Sequence, residues 1–290
     1  MFIATLIAAS LPKGEVSAAI DRLDAAGCLP AAHVWVEDGE ACDIQFGRDP
    51  AAARTMLEGK GYDTVVQPAE YRRKQLIVAD MDSTMITVEC IDELADYAGI
   101  KAEVAAVTEA AMRGELDFGQ ALDARVALLK GLDESVIDRC LAERVKVMPG
   151  AKALVQTMRG WGATAILVSG GFTRFAEPVA REIGFNRAIA NVLEIEGGKL
   201  TGTVAKPIVD ASTKLATLSG AMLDLGLGSE QTLAVGDGAN DLAMITQAGL
   251  GVAYHAKPVV AAAAGARIDK GDLSALLFAQ GVARKDWVRS

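Results

Sequence analysis

Two aspartates one residue apart, Asp80 and Asp82, lie in Asp80-Met81-Asp82-Ser83-Thr84, directly after the apolar run Leu76-Ile77-Val78-Ala79. In extended chain, side chains two positions apart point the same way, so both carboxylates can face one substrate. Such a pair can supply a nucleophile and a general acid, or oxygen ligands for a hard cation. It can also do no more than end a strand and cap the next helix through Asp82 or Ser83. Which holds depends on what ends the other strands.

The elements around the pair place it. A short uninterrupted apolar run reads as a strand of a parallel sheet buried on both faces, and ligands bind beyond the carboxyl ends of such strands. Thr164 to Val168 is a second apolar strand, ending in Ser169-Gly170-Gly171, and Thr232 to Val235 a third, ending in Gly236-Asp237-Gly238-Ala239-Asn240-Asp241. Between them Ser212 can cap a helix running to about Leu225, with Lys214 in its first turn. A cation there opposes the helix dipole, which suits Lys214 to an external anion. In a parallel sheet these ends meet. Asp80, Asp82 and Asp237 then form an oxygen-rich cluster suited to Mg²⁺, while Ser169, the amides after it and Lys214 hold phosphate oxygens. The chemistry indicated is phosphoryl transfer.

The set Asp80-Met81-Asp82-Ser83-Thr84, Val168-Ser169-Gly170-Gly171-Phe172, Lys214 and Gly236-Asp237-Gly238-Ala239-Asn240-Asp241 resembles the haloacid dehalogenase superfamily across roughly residues 75 to 280. Within it the sequence is similar to the phosphoserine phosphatase family. That resemblance implies Asp80 as the nucleophile that becomes an aspartyl phosphate, and Asp82 as general acid and then base. It implies one Mg²⁺ per site, held by Asp80, the backbone carbonyl of Asp82, and Asp237, with Asp241 supporting from behind or simply capping the next helix. Ser169, Gly170, Lys214 and Asn240 would contact the phosphate. It further implies a lid that carries substrate specificity: Glu89 for an ammonium group, Arg125 for a carboxylate, and Met112 and Phe118 as apolar neighbours. Isolated charges such as Glu89 and Arg125 are otherwise surface residues, and Met112 and Phe118 otherwise bundle core. The implied reaction is Mg²⁺-dependent hydrolysis of O-phospho-L-serine, the last step of serine formation.

The fold class expected is α/β: a Rossmann-like parallel sheet at 75–86 and 147–290, a helical cap insertion at 87–146, and a small α+β module at 1–70. The cap follows from helical spacing of Ile91, Leu94, Val104, Val107, Leu122, Val126, Leu129, Ile137 and Leu141. Residues 1 to 66 read as strand, helix, strand, Asp38-Gly39 turn, strand, helix, strand, a ferredoxin-like order that resembles ACT-type modules. Such a module can bind an amino acid, or dock without a ligand and mediate a homodimer. Residues 67 to 74, with Arg72-Arg73-Lys74, read as a solvated linker, and Gly197-Gly198 as the turn of a hairpin across residues 191 to 204.

Composition excludes several classes. Of 290 residues, 29 are Lys or Arg and 38 Asp or Glu, a net charge of −9, with no basic stripe for nucleic acid and no attraction to an anionic membrane. No apolar stretch approaches the roughly 20 residues of a membrane helix. Phe2 to Ala9 is apolar, but no Lys or Arg precedes it, so it is not read as a secretory leader. Cys28, Cys42, Cys90 and Cys140 are too scattered for zinc or a disulfide framework and fit a reducing cytoplasm. A calcium loop fails at Met85, where glycine is needed, and at Ile91, where the last ligand belongs. Dinucleotide and P-loop fingerprints are absent, and His33 and His255 stand in no hydrolase motif. A phosphatase acting on another small metabolite, or a non-catalytic amino-acid sensor, are the alternatives. A sensor has no need for Asp80, Asp82, Lys214 and Asp237 together.

Overall fold

The computed structural model describes residues 1–288, apart from the side chain of Met112, which lies outside the described residues. The N-terminal module runs β1 (Phe2–Ile7), α1 (Lys13–Ala25), β2 (Pro30–Glu37), β3 (Ala41–Phe46), α2 (Pro50–Leu57) and β4 (Asp63–Pro68), and β5 (Leu76–Ala79) begins the next unit. Four helices then follow: α3 (Cys90–Ala98), α4 (Lys101–Met112), α5 (Phe118–Leu128) and α6 (Ser135–Glu143). The chain returns through α7 (Ala151–Gly160), β6 (Thr164–Phe172), α8 (Thr173–Ile183), β7 (Arg187–Asn191), the hairpin β8 (Leu193–Glu196) and β9 (Lys199–Val204), and α9 (Ala211–Leu225). It ends with β10 (Thr232–Gly236), α10 (Leu242–Gln247), β11 (Leu250–Tyr254), α11 (Pro258–Ala263), β12 (Ala266–Ile268) and α12 (Ala275–Ala279).

Period-two alternation builds the layers. All four residues of β5 are fully buried. Ile77 and Ala79 join Leu233 and Val235 in one core, with Leu154 and Met158 of α7 and Phe175 of α8. Leu76 and Val78 face the other way and pack with Ala234, Leu218 of α9, Met244 of α10 and Val260 of α11. The order β12-β11-β10-β5-β6-β7 is parallel throughout, so β5, β6 and β10 lie side by side and their carboxyl ends converge.

The cap leaves and re-enters this sheet at one point. Ile86 and Val147 form an antiparallel bridge, the Thr87 N–H donates to the Lys146 carbonyl (3.0 Å) and the Met148 N–H to the Met85 carbonyl (2.9 Å). The β8–β9 hairpin, turning at Gly197 and Gly198 with φ of 57° and 77°, supports the cap's far side. Its Leu200 and Gly198 carbonyls accept from the Gly131 and Glu134 N–H groups.

The N-terminal module joins the body through one strand pairing: β4 pairs antiparallel with β12 through Thr64 and Arg267, giving one ten-stranded sheet with β2 at its outer edge. One expectation needs correction. Residues 67–74 are not a solvated linker. Gln67 and Lys74 are buried, and the Lys74 ammonium donates to the Glu230 carbonyl (2.8 Å). Arg72 clamps module to body: Nη1 and Nη2 donate to the Asp43 carboxylate (2.5 and 2.6 Å), Nη2 also to the Phe278 carbonyl (3.1 Å), and Nε to the Ala279 carbonyl (2.8 Å). A run of charges signals solvent only when its partners are local, and here Asp43 lies 29 residues away. His33 stands exposed on the edge strand β2.

Removing one member of a buried pair leaves the other charge desolvated. Arg72→Ala therefore lowers unfolding free energy by about 3 kcal/mol in urea titrations, and Asp43→Leu combined with Arg72→Met loses distinctly less.

Candidate active site

The Asp80 N–H donates to the Val235 carbonyl (3.0 Å), which fixes the end of β5 against the loop that carries Asp237. Beneath it lies a buried charge cluster. The Lys214 ammonium sits 2.6 Å from Asp80 Oδ1 and 2.6 Å from Asp241 Oδ1, with side-chain exposures of 1% for Lys214, 7% for Asp80 and 0% for Asp241. Burial opposes the charge on Lys214, but the two carboxylates outweigh it and raise its pKa. The sequence assigns Lys214 to an external anion; in this structure its ammonium meets Asp80 and Asp241. The cap of α9 is Asp210 rather than Ser212: its carboxylate accepts from the Thr213 N–H (2.9 Å), and Ser212 lies inside the helix.

Oxygens of Asp80, Asp237 and Asp241 lie within 4.8 Å of one another. An all-oxygen set with surplus negative charge fits a hard divalent cation such as Mg²⁺. Asp241 is the least free of the three, because one oxygen faces Lys214 and the other accepts from the Gly238 N–H (3.0 Å). The side chain of Asp82 is not part of the trio. Burial, then Asp80 and then Glu89, push Asp237 up to about 6, opposed by Lys257 and Thr84. Burial and Asp80 push Asp241 up to about 7 against the pull of Lys214. Thr84, fully buried, donates to Asp237 (3.3 Å), so the first motif also orients the third.

Asp82 differs from Asp80. Its Oδ1 is buried without a hydrogen-bond partner. Burial, then Glu89 and Asp80, raise its pKa well above the carboxylate range, with only Cys90 opposing. Of the two carboxyls, Asp82 is therefore the one suited to hold a proton.

A cleft of about 410 Å³ opens above the cluster, lined by Asp80, Asp82, Glu89, Phe118, Arg125, Ser169, Gly170, Asp237, Asn240 and Lys257 among others. The structure thus brings together the described residues singled out from sequence, with Lys214 and Asp241 just beneath. Glu89 accepts from Ser83 Oγ (2.7 Å) at the start of α3. Although its residue is solvent-exposed, its carboxylate is crowded enough that desolvation, followed by Asp80 and Asp92, raises its pKa against the Ser83 bond. Arg125 anchors its Nε on the Ala121 carbonyl (3.2 Å); desolvation lowers its pKa, while Asp92, Glu89 and Asp82 counter this. Met112 ends α4, but its side chain lies outside the described residues.

Ser169-Gly170-Gly171 reads as a loop in sequence but continues β6 to Phe172, with the pairing to β7 shifted between Val168 and Phe172. The glycines permit close approach. A Cβ at Gly170 would lie 3.0 Å from Phe118, and one at Gly171 3.0 Å from both Asp82 Oδ2 and Ser169 Oγ. Asn191 went unremarked in sequence, where it is one polar residue at a strand end. It is buried and ties the Gly170 carbonyl (2.8 Å) to Val209, whose N–H it receives (2.7 Å), locking the β6 end to the segment before α9. Lys257 was missed too. Its only sequence signal is a position immediately before α11, just beyond the end of the parallel strand β11. A larger hollow of about 690 Å³, between α2, β4 and α11, lies away from this cluster.

A parallel sheet whose adjacent strand ends carry an acidic pair, a Ser-Gly-Gly and a second acidic loop, under a helical cap, defines a class of phosphotransfer hydrolases. Residues 77–246 match the family model for haloacid dehalogenase-like hydrolase, and the chain belongs to that family. Among its members it is similar to proteins named phosphoserine phosphatase. It is 48% identical over 214 residues to phosphoserine phosphatase SerB2 of Mycobacterium tuberculosis, covering 74% of this chain and 52% of that one. It is 48% identical over 233 residues to phosphoserine phosphatase of Albidiferax ferrireducens, covering 79% and 97%. A crystal structure of an unliganded probable phosphoserine phosphatase from Vibrio cholerae superposes with a TM-score of 0.78 at 34% identity, covering 98% of this chain and 87% of that one. The chain spans little more than half the length of some curated relatives, 52% of one and 58% of another.

Two outcomes follow from this geometry. Gly171→Ala forces Asp82 aside and lowers turnover by roughly 10- to 100-fold while far-UV circular dichroism stays unchanged. A carboxyl whose folded pKa is raised stabilises the fold fully below its unfolded pKa and loses that contribution as pH climbs through the folded one. For Asp237 that window runs from 3.8 to about 6. In chelator, Asp237→Asn therefore raises the melting temperature at pH 7.5, and the gain shrinks towards pH 4.

Proposed function

We propose that the protein is a Mg²⁺-dependent phosphoserine phosphatase that hydrolyses O-phospho-L-serine to L-serine and phosphate, completing serine formation. The observation that carries the reading is the contrast between two adjacent carboxyls: Asp80 held by the Lys214 ammonium at 2.6 Å, and Asp82 buried with an unpartnered oxygen. Both open on a cleft that also presents a carboxylate and a guanidinium from the cap.

Asp80 attacks phosphorus, the phosphorus–oxygen bond to serine breaks, and Asp82 gives its proton to the departing oxygen. Asp82, now ionised, takes a proton from water, which attacks the aspartyl phosphate and regenerates Asp80. Ser169, Gly170 and Asn240 line the phosphate side of the cleft, while Arg125 and Glu89 meet the carboxylate and ammonium of the substrate. Mg²⁺ would be held by Asp80, the Asp82 backbone carbonyl and Asp237, with Asp241 behind, and would neutralise charge between nucleophile and phosphate. The cap excludes water from the first step by swinging about the Ile86–Val147 bridge.

The compartment proposed is cytoplasmic, in keeping with four buried free cysteines. Among the described residues no helix is long and apolar enough to cross a membrane. The open edge of β2 is the surface through which the N-terminal module would form a homodimer.

Phosphate release from O-phospho-L-serine and from esters lacking its carboxylate tests the reading. Wild type prefers phosphoserine and is silent in excess chelator, and Asp80→Asn abolishes turnover of every ester. Arg125→Ala lowers kcat/KM for phosphoserine by about 100-fold or more and spares the simpler esters, as loss of a bidentate carboxylate contact requires. Mg²⁺-dependent activity favouring another ester moves the substrate assignment and keeps the nucleophile. Because protons and Mg²⁺ compete for Asp237 and Asp241, whose pKa values stand at about 6 and about 7, half-saturating Mg²⁺ falls as pH rises from 5 to 7.5.

A further inference from the structure

The lining of the cleft carries Asp80, Asp82, Glu89 and Asp237 against two cations, Arg125 on the cap and Lys257 on the body. Lys214 does not alter this balance at the surface, because it is buried and held by Asp80 and Asp241. A phosphate ester carries about two negative charges and must enter a protein of net charge −9 through this acidic mouth.

Lys257 is placed for that encounter. It is exposed and makes no ion pair among the described residues. Its backbone is nonetheless fixed. The Lys257 N–H donates to the Asp237 carbonyl (3.2 Å), and Pro258 begins α11 immediately after it. Two residues earlier, His255 takes a left-handed φ of 42°. It is held there by its N–H on the Ile268 carbonyl (2.9 Å) and its ring Nε2 on the Gly271 carbonyl (3.0 Å). This kink at the end of β11 turns the chain back to the cleft. Lys257 lines the same cleft as Asp237 and Glu89, one from the body and one from the cap. An exposed, unpaired ammonium on a pinned backbone, beside the Asp237 loop, can meet a dianion at the mouth of the cleft.

Resting on the phosphatase reading above, we propose that Lys257 is the substrate-capturing cation of this cleft, drawing the phosphate group of the ester past the four carboxylates before the buried cluster engages it. It reads the phosphate rather than the serine, so it serves any phosphate monoester that fits.

The test measures kcat and KM for O-phospho-L-serine and for p-nitrophenyl phosphate in the full-length protein with saturating Mg²⁺, from about 10 to 300 mM NaCl. Lys257→Met loses about tenfold in kcat/KM for both esters at the lowest salt, mostly in KM, and its dependence on ionic strength flattens. Lys257→Arg keeps most of the activity and the salt dependence, and Lys257→Glu falls below Lys257→Met. Unchanged kcat/KM and salt slope in Lys257→Met overturn the proposal. So does equal impairment of the Met and Arg variants, which marks a structural role, or a shift confined to half-saturating Mg²⁺, which marks a shield for the carboxylates alone. A wild type that hydrolyses p-nitrophenyl phosphate but not phosphoserine sinks the substrate assignment and leaves the Lys257 comparison intact.

Discussion

The site rests on one buried ammonium between two carboxylates. Asp80 and Asp241 each lie 2.6 Å from Lys214, and Asp237 has an oxygen within 4.8 Å of theirs. Without a cation at the centre, these acids could not stay ionised so close together away from water. Lys214 answers part of that repulsion from within the fold. Burial first, and then the charge of Asp80, still raise the pKa values of Asp237 and Asp241, as befits a group of acids with room for a further cation.

The same economy separates Asp80 from Asp82. One shares Lys214, the other has a buried oxygen with no partner, so residues two apart in sequence sit in different surroundings. Keeping them apart needs tight local packing: Gly171 brings the end of β6 against Asp82, Gly170 admits Phe118 from the cap, and Asn191 holds that strand end in place. Glu89 at the start of α3 and Arg125 from α5 enter the cleft from the cap. In the proposed reaction, chemistry belongs to the sheet and recognition to the insertion.

The strand-end motifs were legible because each is local: an apolar run fixes a strand, and the polar residues after it must fall at the same edge of a parallel sheet. Asp80, Asp82, Asp237 and the Ser-Gly-Gly could be brought together on paper for that reason. Arg72 misled because its partner, Asp43, lies on another strand, and composition alone makes Arg72-Arg73-Lys74 look solvated. The continuity of the two sheets was equally hidden, since it depends on a single pairing between Thr64 and Arg267. Asn191 and Lys257 carry no motif, and their contributions are visible only once the strand ends surround them. Lys214 was found for its type and position, but its partners reversed the expected direction of its charge.

The bridge between Ile86 and Val147 has a consequence for ancestry. Because the outgoing and returning chains are joined where they leave the sheet, the body meets the insertion as a closed loop, and the entropy of closing such a loop changes only slowly with its length. Helices between these two residues can be lengthened, shortened or exchanged without altering the register of β5 or the place of Asp80. Descendants of one ancestral hydrolase can thus inherit the reaction intact while acquiring a new appetite, the two traits passing down the lineage as separate parts.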